Sequence, residues 1–409
     1  MRSMALDSPP RERHTGRALL PLGLVFFAVG ISTALVYPFM SLFLSTAVHA
    51  GPVEVTVYLV AAPLAGVVAS SLLARLSDRR AIRRALLIGA SLAGVIGTGL
   101  TAFVRDYWLL LALAVTATAL AGALFPQTFA YARQVLARDS PDRAALGTST
   151  LRTVFSLAWV AGPPLAAVLL ESGGFAILYV TSAATYAIAA LIGIFWLKEV
   201  DAAAAPVNGP TGPDRATDGP DATRWTLLAT TAAFTLLQTP LTLSVQALPL
   251  FIVDDLGGKA SDAGLILGLC ALLEIPLMLG FGILTTRIRL RTLVLAGAAC
   301  GVAYQLTALS AGNIGVLAAG QLVNALFIAS VSGLGITYMQ DLLPRQPGRG
   351  ATLFTNSFPI GAVLAGPLFG LAQHFGFRFA YATGAVLGTA GLLLLLLVRP
   401  PARVDQPKA

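Results

Sequence analysis

Twelve apolar runs follow one another along this chain with only short polar breaks between them, and that pattern constrains the fold more than any other feature. They lie near 18–45, 54–74, 85–104, 107–131, 148–170 and 175–197, then 226–252, 262–284, 292–310, 313–340, 351–374 and 377–398. Each has roughly the 20 residues that a helix needs to cross a bilayer core. A chain inside hydrocarbon must satisfy its backbone N–H and C=O groups internally, so runs of this length become helices. Only 11% of the 409 residues are charged, against roughly 25% in soluble domains, so a water-facing surface and a soluble enzyme are excluded. The expectation is an all-α polytopic membrane protein with very little mass outside the bilayer. The basic tail before the first run reads as the flank of a retained span rather than a signal peptide, because the run exceeds a signal's apolar region.

Lys and Arg set the orientation. With the N-terminus in the cytoplasm, alternate breaks collect 23 of the 27 basic residues, the opposite breaks hold Arg105, Lys259 and Arg378, and Arg152 lies within a span. Positive charge marks the cytoplasmic side. Both termini are therefore expected in the cytoplasm, and the net charge of +8 needs no nucleic-acid partner. Residues 201–225, rich in Ala, Pro, Gly and Asp, read as a flexible cytoplasmic linker. The expected organisation is a tail at 1–17, a six-helix bundle at 18–200, the linker at 201–225, a second bundle at 226–398 and a tail at 399–409.

The two halves echo each other. Arg138, Pro141, Arg143 and Gly162-Pro163 recur as Arg345, Pro347, Arg349 and Gly366-Pro367, at an offset of 204 to 207 residues. Parallel repeats of six helices, with a substrate site between them at mid-membrane, are the architecture of the major facilitator transporters. The break after span 2, Ala74-Arg75-Leu76-Ser77-Asp78-Arg79-Arg80-Ala81-Ile82-Arg83, resembles that superfamily's loop signature Gly-x-Leu-x-Asp-Arg-x-Gly-x-Arg, with both glycines replaced by alanine. The resemblance implies that Asp78, Arg79 and Arg83 latch the halves on the cytoplasmic side. Positive-inside residues alone would also account for the arginines.

Small residues at Ala158, Gly162 and Ala166, followed by prolines, allow close helix approach and a bend at Gly162-Pro163. Span 11 repeats the device at Gly366-Pro367. Packing explains these pairs, although a Gly-Pro here also resembles the antiporter signature of facilitator exporters. Glu274 is the one acid in the apolar centre of a span. A carboxyl there is costly unless it functions or is paired, so Glu274, with Arg152, is assigned to proton coupling, or Glu274 to substrate binding. A structural ion pair with Arg152 is the alternative.

Uncharged polar residues point to what crosses. Gln238, Thr242 and Gln246 form one stripe of span 7, Gln321 and Asn324 share a face of span 10, and Gln127 and Tyr37 lie in spans 4 and 1. Amides both donate and accept, which suits a polyhydroxylated ligand better than a cation. Hydrogen bonds between helices would serve them equally. The histidines lack ligand-type spacing and there is no phosphate loop, so neither metal nor cofactor is expected.

Five stretches together resemble the bacterial sugar efflux transporters of the superfamily: Pro38 to Ser45, Leu157 to Ala166, Leu273 to Pro276, Gln340 to Pro344, and Ala351 to Ser357. The resemblance implies proton-driven export of sugars or glycosides by a monomer in the lipid bilayer, with Asn356 among the substrate-facing residues. A multidrug/proton antiporter of the same fold and a non-transporting sugar sensor remain the alternatives.

Overall fold

The computed structural model describes residues 12–79, 82–137, 141–197 and 221–398. Among the described residues, eleven continuous helical stretches are long and apolar enough to cross a membrane. The longest, Thr150–Phe195, is two spans: Gly174 adopts φ 64° and ψ −158°, a left-handed conformation that breaks the helix without a loop. The twelve spans are α1 (Leu20–Thr46), α2 (Pro52–Ser77), α3 (Arg83–Thr101), α4 (Tyr107–Ala132), α5 (150–173), α6 (175–195), α7 (Arg224–Asp255), α8 (Ala260–Leu284), α9 (Leu290–Leu309), α10 (Ile314–Leu342), α11 (Pro347–Phe375) and α12 (Arg378–Leu397). The linker and the two tails expected from sequence fall largely or wholly outside the described residues.

Short polar breaks suffice because they cap the helices they join. Asp106 accepts the N–H of Leu109 at 2.8 Å, and Asn313 accepts that of Val316 at 3.1 Å. Asn313 thereby separates α9 from α10 across a break of only a few residues. Within α1, Pro38 lacks an N–H and the chain tightens to a 3-10 turn over Tyr37–Phe39 before resuming as helix at Met40.

The internal repeat is visible in side-chain detail. Arg84, at the start of α3, donates to the carbonyls of Gly193 and Ile194 at the end of α6. Arg291, at the start of α9, does the same to Leu395, Leu396 and Val398 at the end of α12. At the opposite end Phe43 packs on Tyr179 beneath the guanidinium of Arg105, and Phe251 packs on Tyr381 beneath that of Arg378. The two arginines come from different loops, yet each closes the carbonyl end of the third helix of its half, α3 or α9.

The apolar core is divided unevenly. One buried cluster draws on both halves, joining Leu35, Phe43, Tyr58 and Tyr179 to Leu248, Phe251, Phe369 and Tyr381. It occupies the end remote from the chain termini. Toward the terminal end the core splits in two. Phe26, Leu87, Leu124 and Tyr186 form one cluster, and Phe234, Val294, Tyr338 and Phe354 form the other. The halves are thus joined at one end and separately packed at the other.

Candidate functional site

The joined end rests on two seams. On one, α5 and α8 run antiparallel: Gly264 faces the Pro163 carbonyl and Ala167, and Gly268 faces Pro164 and the Val160 carbonyl. Pro164 has no N–H to return to Val160, so that carbonyl is free to meet Gly268. A Cβ on Gly268 would overlap the Pro164 ring. On the other seam, α11 meets α2, where a Cβ on Gly366 would lie 2.7 Å from Val60 and one on Gly370 would collide with Thr56. Between the seams, α1 and α7 are bolted at the 3-10 turn. Gln246 Nε2 donates to the Tyr37 carbonyl at 3.0 Å, and Ser41 Oγ donates to the Gln246 carbonyl at 2.5 Å. Gln373 Nε2 adds a bond of 2.8 Å to Ser45 Oγ.

Following the α5–α8 seam toward the separated end brings Glu274 to Arg152. Glu274 lies six residues beyond Gly268, about 9 Å along α8, while the antiparallel partner runs back through Val160 toward Arg152. The two side chains attract each other electrostatically. They stop short of a direct ion pair among the described residues. This is a cross-half couple near the place where the shared core gives way to the two separate ones.

The seams are not equivalent. By the offset that relates Gly162 to Gly366, Arg152 corresponds to Asn356 on α11, and by the offset between the α2 and α8 starts, Glu274 corresponds to Gly66. Charge therefore sits on the α5–α8 seam alone, and the α2–α11 seam is neutral at the matching places.

A polar chain begins near Glu274 and runs through the interior of the C-terminal half. Cys270, one turn away on α8, receives Asn324 Nδ2 at 3.5 Å; Asn324 also donates to Gln321 Oε1 at 3.0 Å, and Gln321 Nε2 donates to the Tyr304 hydroxyl at 3.2 Å. Tyr37, whose main-chain carbonyl accepts from Gln246 Nε2, stands edge-on to Trp159, ring centroids 6.3 Å apart.

A model of the Major Facilitator Superfamily matches residues 22–245 and 230–409. The chain belongs to that superfamily. This facilitator is 34% identical over 369 residues to sugar efflux transporter A of Dickeya chrysanthemi, covering 88% of the chain and 91% of the relative. It is 33% identical over 379 residues to sugar efflux transporter A of Escherichia coli K12, covering 92% and 95%. Its fold matches that of a mutant nucleoside transporter, NupG, with a TM-score of 0.77 at 11% identity over 93% of this chain and 99% of the other. It also matches a D-xylose-proton symporter with a TM-score of 0.72 at 11% identity over 96% and 99%. The facilitator is a multi-pass membrane protein of a transporter family and not an enzyme.

Within this facilitator the residues singled out in the sequence separate into groups. Arg152 and Glu274 face each other across the α5–α8 seam without a direct ion pair. Tyr37, Thr242 and Gln246 gather at the α1–α7 bolt, and Gln246 is only 3% exposed. Gln321 and Asn324 belong to the chain reaching Cys270. Gln238 donates to Ser332 Oγ at 3.3 Å within the C-terminal half, and its Oε1 has no partner among the described residues. Gln127 is buried in α4 without a side-chain bond to the other amides, and Asn356 is exposed on α11. Gly162 packs against Ala34 of α1 and Gly366 against α2, and α5 keeps helical dihedrals through Pro163. Pro367 likewise lies within continuous α11. The side chains of Asp78 and Arg79 lie outside the described residues; Arg83 begins α3. Sequence reasoning missed Ser41, Ser45, Gln373, Cys270 and Tyr304. For Ser41 the available signal was Pro38, which marks where α1 must break.

Proposed function

We propose that this protein exports sugars or glycosides from the bacterial cytoplasm by proton antiport, alternating access between its two six-helix halves. The observation that carries the mechanism is the Arg152–Glu274 couple at the point where the joined end of the molecule meets the separated end. The names of the relatives supply the substrate class. The distribution of Lys and Arg supports cytoplasmic termini in the inner membrane, and on that reading the conformation described opens inward. The protein works as a monomer.

In the inward-open state Glu274 can give up its proton to the cytoplasm. The resulting carboxylate attracts Arg152, drawing α5 and α8 together at the cytoplasmic end once sugar is bound between the halves. The bolt at Tyr37, Ser41 and Gln246 then opens outward, the sugar leaves, and Glu274 takes a proton from the outside. Neutralising Glu274 removes its attraction for Arg152 and lets the cytoplasmic end part again. Ligand and proton each shift the equilibrium because they favour different states.

Everted membrane vesicles test this reading. With an acid interior, labelled lactose or a thio-galactoside should accumulate in vesicles carrying the wild type. Vesicles carrying Glu274→Gln should lose accumulation but retain sugar exchange. Accumulation by the mutant would move the proton elsewhere, and pumping of an apolar dye with no sugar flux would favour a drug exporter.

A further inference from the structure

Glu274 lies deep in its span, about 21 Å along α8 from Ala260 and about 15 Å from Leu284. Glu54, Glu171, Asp255, Asp262 and Asp341, by contrast, each lie within about one turn of a span end. The three histidines stand before, between or at the ends of spans. Among the described residues, Glu274 is thus the one carboxyl at mid-membrane depth.

The elements packed on α8 add no second proton carrier at that depth. Arg152 of α5 is a guanidinium, which keeps its proton in proteins. Cys270, one turn away on α8 itself, is a thiol, and thiols are largely protonated at neutral pH. The α10 helix brings the amides of Gln321 and Asn324 and carries charge only at Asp341. The α7 helix carries charge only at Arg224, Asp254 and Asp255, at its two ends.

The internal repeat sharpens the asymmetry. Gly66 of α2 is the counterpart of Glu274, and a Cβ on it would meet no atom within 4 Å. Packing therefore does not explain why the first half lacks the acid. Asn356 stands in the place of Arg152, so the α2–α11 seam has neither the titrating group nor its counter-charge.

We propose that each cycle exchanges one proton for one sugar, so that one net charge crosses the membrane and the membrane potential drives export alongside the pH gradient. Glu274 takes up one proton outside and releases it inside, while a neutral sugar crosses the other way unchanged. This inference rests on the antiport reading above and fixes its count of protons.

Purified full-length protein in liposomes tests it, with equal pH on both sides and a potential set by potassium and valinomycin. The readout is the gradient of labelled lactose or a thio-galactoside at which net flux stops. In wild type, each 59 mV or so of interior-positive potential should raise that gradient about tenfold, the slope of a single charge. One pH unit, acid inside, should do the same at zero potential. Arg152→Gln should reach the same gradients more slowly, because the arginine carries no proton. Glu274→Gln should show no slope, with sugar equilibrating at any potential.

A slope of two charges, a pH-driven gradient indifferent to potential, a slope kept by Glu274→Gln or one lost in Arg152→Gln would each overturn the single carrier while leaving antiport standing. Sugar gradients that respond to neither pH nor potential would remove the antiport reading, and this inference with it.

Discussion

Gln246 of α7 donates its side-chain amide to the main-chain carbonyl of Tyr37 in α1 at 3.0 Å, tying the first helix of one half to the first helix of the other. The bond forms where Pro38 interrupts α1, and Ser41, one turn on, returns a hydrogen bond to the Gln246 carbonyl. A local helix break in one half has thereby become a docking point for the other. Because it lies at the joined end, its strength bears on how readily that end opens.

Removing the bolt should favour opening. Gln246→Ala leaves the Tyr37 carbonyl without its cross-half donor inside a buried interface, a cost of about 1–3 kcal/mol. The ratio of outer-closed to outer-open molecules should fall about 5-fold or more. Spin labels at the outer ends of α1 and α7 would report it by pulsed dipolar spectroscopy, and an unchanged distance distribution would argue that the packed core holds this end without help.

Arg152 and Glu274 should behave as one unit. Arg152→Gln and Glu274→Gln should each slow proton-driven flux, and the double variant should do little worse than Glu274→Gln alone, since interacting residues fail to add. Sugar exchange should vary with pH in wild type and be flat in Glu274→Gln. Additive losses in a double-mutant cycle of counterflow rates would show that the two side chains act separately.

Close approach of α5 and α8 should be intolerant of bulk. Gly268→Val puts a branched side chain where the Pro164 ring and Val160 carbonyl already sit. Overpacking of this kind costs about 1–3 kcal/mol, and here it falls only on the joined state. The variant should fold, elute as wild type and populate the outer-open state. Wild-type distances between α5 and α8 would show that the seam can absorb the added volume.

The paired arginine clamps should be structural. Arg291→Ala frees the carbonyls of Leu395, Leu396 and Val398 at the end of α12, and Arg84→Ala frees those of Gly193 and Ile194 at the end of α6. Both variants should lower the thermal midpoint in detergent, Arg291→Ala by more because it satisfies three carbonyls rather than two, while sugar exchange at low temperature persists. Loss of exchange at full thermal stability would assign the clamps a part in transport.

Much of this molecule is local and therefore legible in one dimension. Twelve spans follow from run length and from the need to satisfy the backbone without water, and even the loopless turn between α5 and α6 was marked by Ser172-Gly173-Gly174. The repeat was readable in loop residues such as Arg345 and Arg349 because their offsets from Arg138 and Arg143, 207 and 206 residues, are nearly equal. Glu274 stood out because an acid in an apolar span is costly wherever the helix packs.

What each polar residue bonds to depended on packing. Gln238, Thr242 and Gln246 make one stripe along α7, yet Gln238 turns to Ser332 inside its own half and Gln246 crosses to Tyr37. Arg152 and Glu274, far apart along the chain and assigned to different spans, come together because α5 and α8 run antiparallel at a register set by Gly264, Gly268 and the prolines opposite. Helix periodicity is written residue by residue, so sequence alone determined the spans and their faces. Register between helices arises from side-chain volumes meeting across a seam, and only the tertiary structure decided which polar groups pair and which end of the molecule is joined.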